Sequence, residues 1–301
     1  MKISNVSEAR VPGAQVVEGR SAACAEVAGV RVPRLIYGTA WKEGETARLT
    51  RLALEAGFRG IDTANQRRHY HEAAVGEALA AAVAERGIAR EEVFVQTKFT
   101  NRASQDSRLP YDPLAAVSSQ VAQSCESSLR HLGVDWVDAY LLHGPSKRHG
   151  LTTDDWETWQ AMESLHHAGK ARLLGVSNVS VEQLRELWTH GSVKPRLVQN
   201  RCYASRGWDR AVRTFCAEQG LLYQGFSLLT ANAEVLHSPR VRAIAVHRGA
   251  TAAQVVLRFA LQLGLIALTG TSSAAHMAED LAVFDFELDS VEVQEIENLA
   301  G

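Results

Sequence analysis

Eight short apolar or β-branched runs recur along this chain, and amphipathic stretches of helical spacing separate them. The runs are Leu35 to Gly38, Gly60 to Thr63, Val93 to Lys98, Ala139 to Leu142, Leu173 to Ser177, Leu197 to Gln199, Leu221 to Phe226 and Ile266 to Leu268. Between them apolar residues return at i, i+4 spacing, as in Leu49, Leu52, Ala53 and Ala56 or Val121, Cys125, Leu129 and Leu132, which marks one buried helix face. Gly57, Gly133, Gly169, Gly220 and Gly264 stand just past a helical run and just before the next β-run, where a left-handed C-cap belongs. This βα alternation argues for a parallel sheet, and eight units argue for its closure into a (β/α)8 TIM barrel of the α/β class. Ahead of the first unit, Cys24-Ala25-Glu26-Val27 and Val30-Arg31-Val32 flank Ala28-Gly29, a short hairpin expected to cap the barrel floor. With no linker, low-complexity tract or internal repeat, residues 1–301 read as one barrel domain, of which 1–34 are an N-terminal extension and hairpin.

Composition narrows the partners. A chain of 301 residues with 46% hydrophobic content can bury a large core within a single barrel. A formal net charge of -2 and a pI near 6.6 give no broad basic field, so neither a nucleic acid nor an anionic membrane surface is the expected partner. A small neutral or anionic ligand suits this balance better. No apolar run approaches the roughly 20 residues a membrane span needs, and Met1-Lys2-Ile3-Ser4-Asn5 lacks the apolar core of a secretory signal, so a cytoplasmic location is expected. Cysteines 24, 125, 202 and 216 show no CxxC pairing and no histidines at zinc-ligand spacing, which predicts free thiols and no structural metal.

Asp62, Lys98 and His143 each fall where a β-run stops, and Tyr70 follows one of them. A parallel barrel assembles one site from such distant strand ends. Taken singly, each has a structural reading: an aspartate as a helix cap, a lysine reaching solvent, a histidine as a satisfied polar residue. Their occurrence together in barrel order favours a shared site.

Gly57-Phe58-Arg59-Gly60-Ile61-Asp62-Thr63-Ala64, the Glu72 to Leu79 run, Thr97-Lys98, Tyr140-Leu141-Leu142-His143 and Gly175-Val176-Ser177-Asn178 together resemble the aldo-keto reductases. So do Val198-Gln199, Phe226-Ser227 and Val283-Phe284-Asp285-Phe286-Glu287-Leu288, so the resemblance runs from about Leu35 to the last helix. It implies NAD(P)H-dependent reduction of a small-molecule carbonyl compound to an alcohol, with Asp62, Tyr70, Lys98 and His143 as the catalytic tetrad. The chemistry is coherent. A free phenol has a pKa near 10, so a cation such as Lys98 that stabilises the phenolate would make Tyr70 a better acid. Asp62 opposite would keep the buried lysine charged, and His143 would orient the substrate carbonyl.

In that family the tyrosine usually stands five residues after the aspartate and three before the glutamate, whereas here Tyr70 is eight after Asp62 and two before Glu72. A bulged loop that still aims Tyr70 at the site is the favoured reading; His69 in the tyrosine's place is the other. Arg67, Arg68, His69 and His71 would line the mouth, binding an anionic substrate group or standing in solvent. The resemblance assigns Ser177, Asn178 and Gln199 to the nicotinamide carboxamide and Phe226 to its ring, with barrel core and helix caps as the structural alternative. It puts Thr39, Ala40 and Trp41 near the ribose and phosphate, and Asp62, Ser227, Thr271, Ser272, His276, Glu279 and Asp280 along the cofactor.

The family's lysine and arginine for the adenosine 2'-phosphate are replaced by Gly270 and His276. Hydroxyls and N–H groups at Thr271 to Ser273 can still hold phosphate, but the loss of two charge-assisted contacts should narrow the preference for NADPH or allow NADH; the resemblance alone implies NADPH first. The last predicted helix, Ser290 to Leu299, runs almost to Gly301, which implies a more open site than in relatives with a longer C-terminal loop. Substrate contacts would come from Trp41, the Asn101 to Pro113 loop and the Gly144 to Thr153 loop, with Trp156 and Trp208 as aromatic walls. Two other classes are weighed: a nucleotide-binding regulatory barrel with little turnover, and a metal-dependent hydrolase using Asp62, His69, His71 and His143.

Overall fold

The computed structural model describes residues 23–299. Strands β1 (Cys24–Val27) and β2 (Val30–Pro33) pair antiparallel through Ala28 and Gly29, whose φ values of 49° and 73° are the two left-handed residues a two-residue type I′ turn needs. Eight parallel strands follow: β3 (Leu35–Gly38), β4 (Gly60–Asp62), β5 (Phe94–Phe99), β6 (Val137–Leu142), β7 (Ala171–Ser177), β8 (Leu197–Arg201), β9 (Leu222–Phe226) and β10 (Ile266–Thr269). They close in the order β10-β3-β4-β5-β6-β7-β8-β9, so chain order and spatial order coincide and all eight C-terminal ends open on one face. Each predicted β-run is a strand, with ends moved by one or two residues.

Helices α1 (Thr46–Ala56), α2 (Glu72–Arg86), α3 (Val117–Leu132), α4 (Thr153–His167), α5 (Val181–His190) and α6 (Arg210–Gln219) form the first part of the outer ring. After β9 come α7 (Ala233–His237), α8 (Pro239–Arg248) and α9 (Ala252–Gln262), then α10 (Ala274–Leu281) and α11 (Ser290–Asn298) after β10. The five predicted capping glycines all have positive φ.

Period-two alternation sorts each strand into two cores. On β5, Val95 and Phe99 face the helix layer, whereas Phe94 joins the barrel interior, and Gln96 and Lys98 continue that inward row toward the mouth. The floor of the interior is sealed by hairpin residues Val27, Val30 and Val32, packed with Ile36, Phe94 and Leu141. The hairpin thus caps the barrel as predicted, and polar side chains can gather only above it. Among the described residues no helix is long and apolar enough to cross a membrane. Cys125, Cys202 and Cys216 are buried free thiols and Cys24 is a half-buried one.

Candidate active site

Lys98 is fully buried, an environment that by itself pulls an ammonium below its ordinary pKa. Asp62 opposes this: its Oδ1 lies 2.6 Å from Lys98 Nζ, which also donates to Thr63 O at 2.8 Å. Three glutamines surround the pair. Gln96 Nε2 and Gln199 Nε2 donate to the same Asp62 oxygen at 2.6 and 2.9 Å, and both also donate to Gln224 Oε1, at 2.8 and 2.9 Å. Gln224 Nε2 returns a bond to Gln96 Oε1 at 2.8 Å. Both hydrogens of Gln199 Nε2 are used in this ring, and its Oε1 has no partner among the described residues. Gln96 and Gln224 were not singled out from the sequence; their places two residues before Lys98 and Phe226 on the inward rows of β5 and β9 are the signal that finds them.

The long loop after β4 turns tightly, with Tyr70 N and His69 N both donating to Gln66 O at 3.0 and 3.2 Å, and this turn absorbs the extra residues. Asn65 Nδ2 on Ser124 O and Gln66 Nε2 on Ser104 O pin its near end. Its far end is held by buried Glu72, which accepts from Thr97 Oγ1 and from His131 Nδ1. Between these anchors the Tyr70 ring stands 5.2 Å from Lys98 Nζ and 6.0 Å, edge-on, from the His143 ring. His69 is instead engaged by Trp41, its ring 3.9 Å from that of this exposed residue and its carbonyl accepting from Trp41 N at 2.7 Å. Of the two competing residues, Tyr70 is the one beside the Asp62–Lys98 pair. Burial first, and then the Asp62 carboxylate, push its phenol above the ordinary tyrosine value, opposite to the effect expected of Lys98 alone.

His143, just past β6, donates its backbone N–H to Phe99 O at 2.9 Å, and its carbonyl accepts from Asn178 Nδ2 at 2.8 Å. Burial, Lys98 and His69 lower its imidazole to about 3, so it is neutral across the physiological range. Its Nδ1 meets Thr100 Oγ1 at 2.6 Å. Neutral histidine beside a protonated phenol can orient and protonate a carbonyl oxygen.

On the adjoining side of the mouth, Ser177 donates to Gln199 O at 2.7 Å and Asn178, left-handed at φ 52°, is exposed. Phe226 is half-buried with Arg201 5.5 Å from its ring, and Ser227 has φ 57°. Thr39 is fully buried and tied through Oγ1 to Asp62 O at 2.9 Å, leaving Ala40 and Trp41 as the accessible pair of that turn. Thr271 Oγ1 and Ser273 Oγ are both engaged at the start of α10, by Ser273 N and His276 N respectively. Exposed Ser272 and the N–H groups of Ala274 and Ala275 at the start of the helix remain as donors. His276 is exposed, Glu279 is half-buried, and buried Asp280 accepts from Thr269 Oγ1 at 2.6 Å, so one of its oxygens serves the strand end.

Lys42, which sequence reasoning passed over, bonds Gly270 O, and a Cβ on Gly270 would stand 3.8 Å from its ammonium. Barrel closure makes this contact foreseeable, since β10 pairs with β3 and the loops after both strands must meet. The two tryptophans expected as aromatic walls lie elsewhere. Trp208 is fully buried, 4.9 Å from the Phe259 ring, because left-handed backbone at Trp208 and Asp209 turns it into the core. Trp156 lies on α4 with its ring 6.2 Å from that of His190. Among the described residues no three His, Cys, Asp or Glu side chains converge as metal ligands.

An aldo/keto reductase family model matches residues 34–300. The chain is 31% identical over 275 residues to the 9,11-endoperoxide prostaglandin H2 reductase of Trypanosoma cruzi, covering 90% of this chain and 88% of that protein. It is 30% identical over 274 residues to glyoxal reductase of Bacillus subtilis, covering 90% of each. The solved Bombyx mori aldo-keto reductase in complex with NADP matches with a TM-score of 0.77 at 26% identity, covering 91% of both chains.

Proposed function

The chain belongs to the aldo/keto reductase family, and from that premise we propose that it reduces an aldehyde or ketone to an alcohol with NADPH, Tyr70 giving the proton. One observation carries the reading: the Tyr70 ring lies 5.2 Å from the Lys98 ammonium and 6.0 Å from the neutral His143 imidazole at the open end of the barrel. The residues present suit a nicotinamide nucleotide. Gln199 Oε1 is a free acceptor for a carboxamide N–H, with Asn178 beside it and Phe226 offering a flat face. Lys42 and the N-terminus of α10 supply positive charge for phosphate where Gly270 and His276 replace the family's cations.

When bound, the nicotinamide supplies the hydride. Tyr70 passes its hydroxyl proton to the carbonyl oxygen, and Lys98 stabilises the phenolate that results. Asp62, held by Gln96 and Gln199, keeps Lys98 charged through the cycle. Among the described residues none hydrogen-bonds His143 Nε2, which is therefore available to hold the substrate oxygen. Replacing both family cations by one lysine and a helix terminus narrows the preference for NADPH over NADH.

The test is a fluorescence titration with NADPH and NADH, followed by turnover assays on glyoxal and on aromatic aldehydes. Saturable binding with carbonyl-dependent oxidation of NADPH supports the proposal. Tight binding with no turnover on any carbonyl would make the chain a regulatory nucleotide-binding barrel instead.

A further inference from the structure

Thr100 lies two residues past Lys98, is 1% exposed, and sits outside the tetrad. Its hydroxyl has one hydrogen-bond partner among the described residues, His143 Nδ1 at 2.6 Å. The large majority of buried hydroxyl groups are hydrogen-bonded, and the arrangement that gives the hydrogen an acceptor is the favoured one. If Nδ1 carried the imidazole proton, Thr100 would have to accept it and its own hydrogen would be left without a partner. If Nδ1 is bare, Thr100 donates to it and the account closes. The proton of the neutral ring must then be on Nε2, the nitrogen that no described residue touches.

We propose that Thr100 is a positioning residue that fixes His143 as its Nε2–H tautomer, so that the histidine faces the substrate oxygen as a hydrogen-bond donor. The role toward substrate rests on the reading given under Proposed function; the tautomer does not. Both partners are rigidly seated. Tyr111 OH and Gln105 Nε2 donate to Thr100 O at 2.8 and 3.4 Å, tying the residue to the 101–113 loop. The His143 backbone is held by Phe99 O, the carbonyl just before Thr100, and by Asn178 Nδ2. The hydroxyl therefore has a fixed line to Nδ1, and the tautomer follows from geometry.

The experiment uses the full chain labelled with ¹⁵N-histidine. Long-range ¹H–¹⁵N spectra identify which ring nitrogen carries hydrogen, and His143→Asn assigns the signal among the 11 histidines. The wild type is expected to show a bare Nδ1 and a protonated Nε2. Thr100→Val, which keeps the shape and removes the hydroxyl, should give a tautomer mixture, and Thr100→Ser should restore the original pattern. Turnover of Thr100→Val should fall roughly 10-fold to 100-fold, as for other partners that orient a functional histidine, with NADPH affinity unchanged and rescue by Thr100→Ser. A protonated Nδ1 in the wild type overturns the proposal. So does a Thr100→Val protein that keeps the wild-type spectrum, whatever its rate. A protein without carbonyl reductase activity whose spectra follow the expected order supports the tautomer assignment and defeats only the functional reading.

Discussion

The chemistry of this site turns on a single buried cation. Burial lowers the Lys98 pKa and Asp62, facing it at 2.6 Å, works against that shift; removing one partner of such a pair typically costs about 3–5 kcal/mol. Under the proposed function, replacing Tyr70 separates chemistry from binding. Tyr70→Phe should lower turnover by roughly 10²-fold to 10⁴-fold, the range for a positioned acid, while NADPH affinity in the fluorescence titration stays near wild type. Unchanged turnover would transfer the acid to another group. Asp62, Lys98 and His143 were legible because they end strands, where barrel geometry leaves few other places for them. Thr100, just past β5, is marked only by its contact with His143, and Gln96 and Gln224 were hidden because an amide in a β-run looks the same whether it lines the interior or faces a helix. Only the spatial ring of donors and acceptors gives them a role.

Among the elements, α2 decides where Tyr70 stands. Its first residue, Glu72, is bonded to Thr97 on β5 and to His131 on α3, so the loop carrying Tyr70 ends at a fixed point. The helix can approach α3 this closely because of Gly76, where a Cβ would stand 2.0 Å from His131 O. In an open helix, exchanging glycine for alanine stabilises by about 1 kcal/mol. Here Gly76→Ala should instead destabilise by about 1–3 kcal/mol through overpacking and lower turnover by shifting Tyr70; urea unfolding and steady-state rates check both. A stabilised variant would show that α2 and α3 do not meet as described. Sequence reasoning recognised the Glu72 to Leu79 run as part of a pattern, but the need for its glycine belongs to a helix-to-helix contact that no local spacing reveals.

For the molecule as a whole, closure of the barrel creates contacts between residues far apart in the chain. Lys42 meets Gly270 because β10 returns beside β3. Charge-assisted contacts are worth roughly 1.5–3 kcal/mol, so Lys42→Met should weaken NADPH binding about tenfold or more in a titration; an unaltered affinity would leave the phosphate to α10 alone. Burial also gives the fold an acid limb. The His143 pKa is lowered to about 3 in the folded state from 6.5, so between those values the unfolded chain binds the extra proton. Stability is therefore lost as pH falls through that window, by at most about 1.4 kcal/mol per pH unit from this residue. His143→Asn should flatten the decline measured by urea unfolding from pH 7 to 4, and an identical slope would count against its neutrality. What the sequence by itself determined was the eightfold βα alternation, the capping glycines, the N-terminal hairpin and the strand-terminal positions of Asp62, Lys98 and His143, because hydrophobic period and chain punctuation are local properties. What only the tertiary structure decided was that Tyr70 rather than His69 faces Lys98, that Trp208 is core, and that Lys42, Thr100 and the glutamine ring join the site. Those outcomes depend on how a loop folds and on which distant strands become neighbours, and they are set by the packing of the whole barrel rather than by any segment of it.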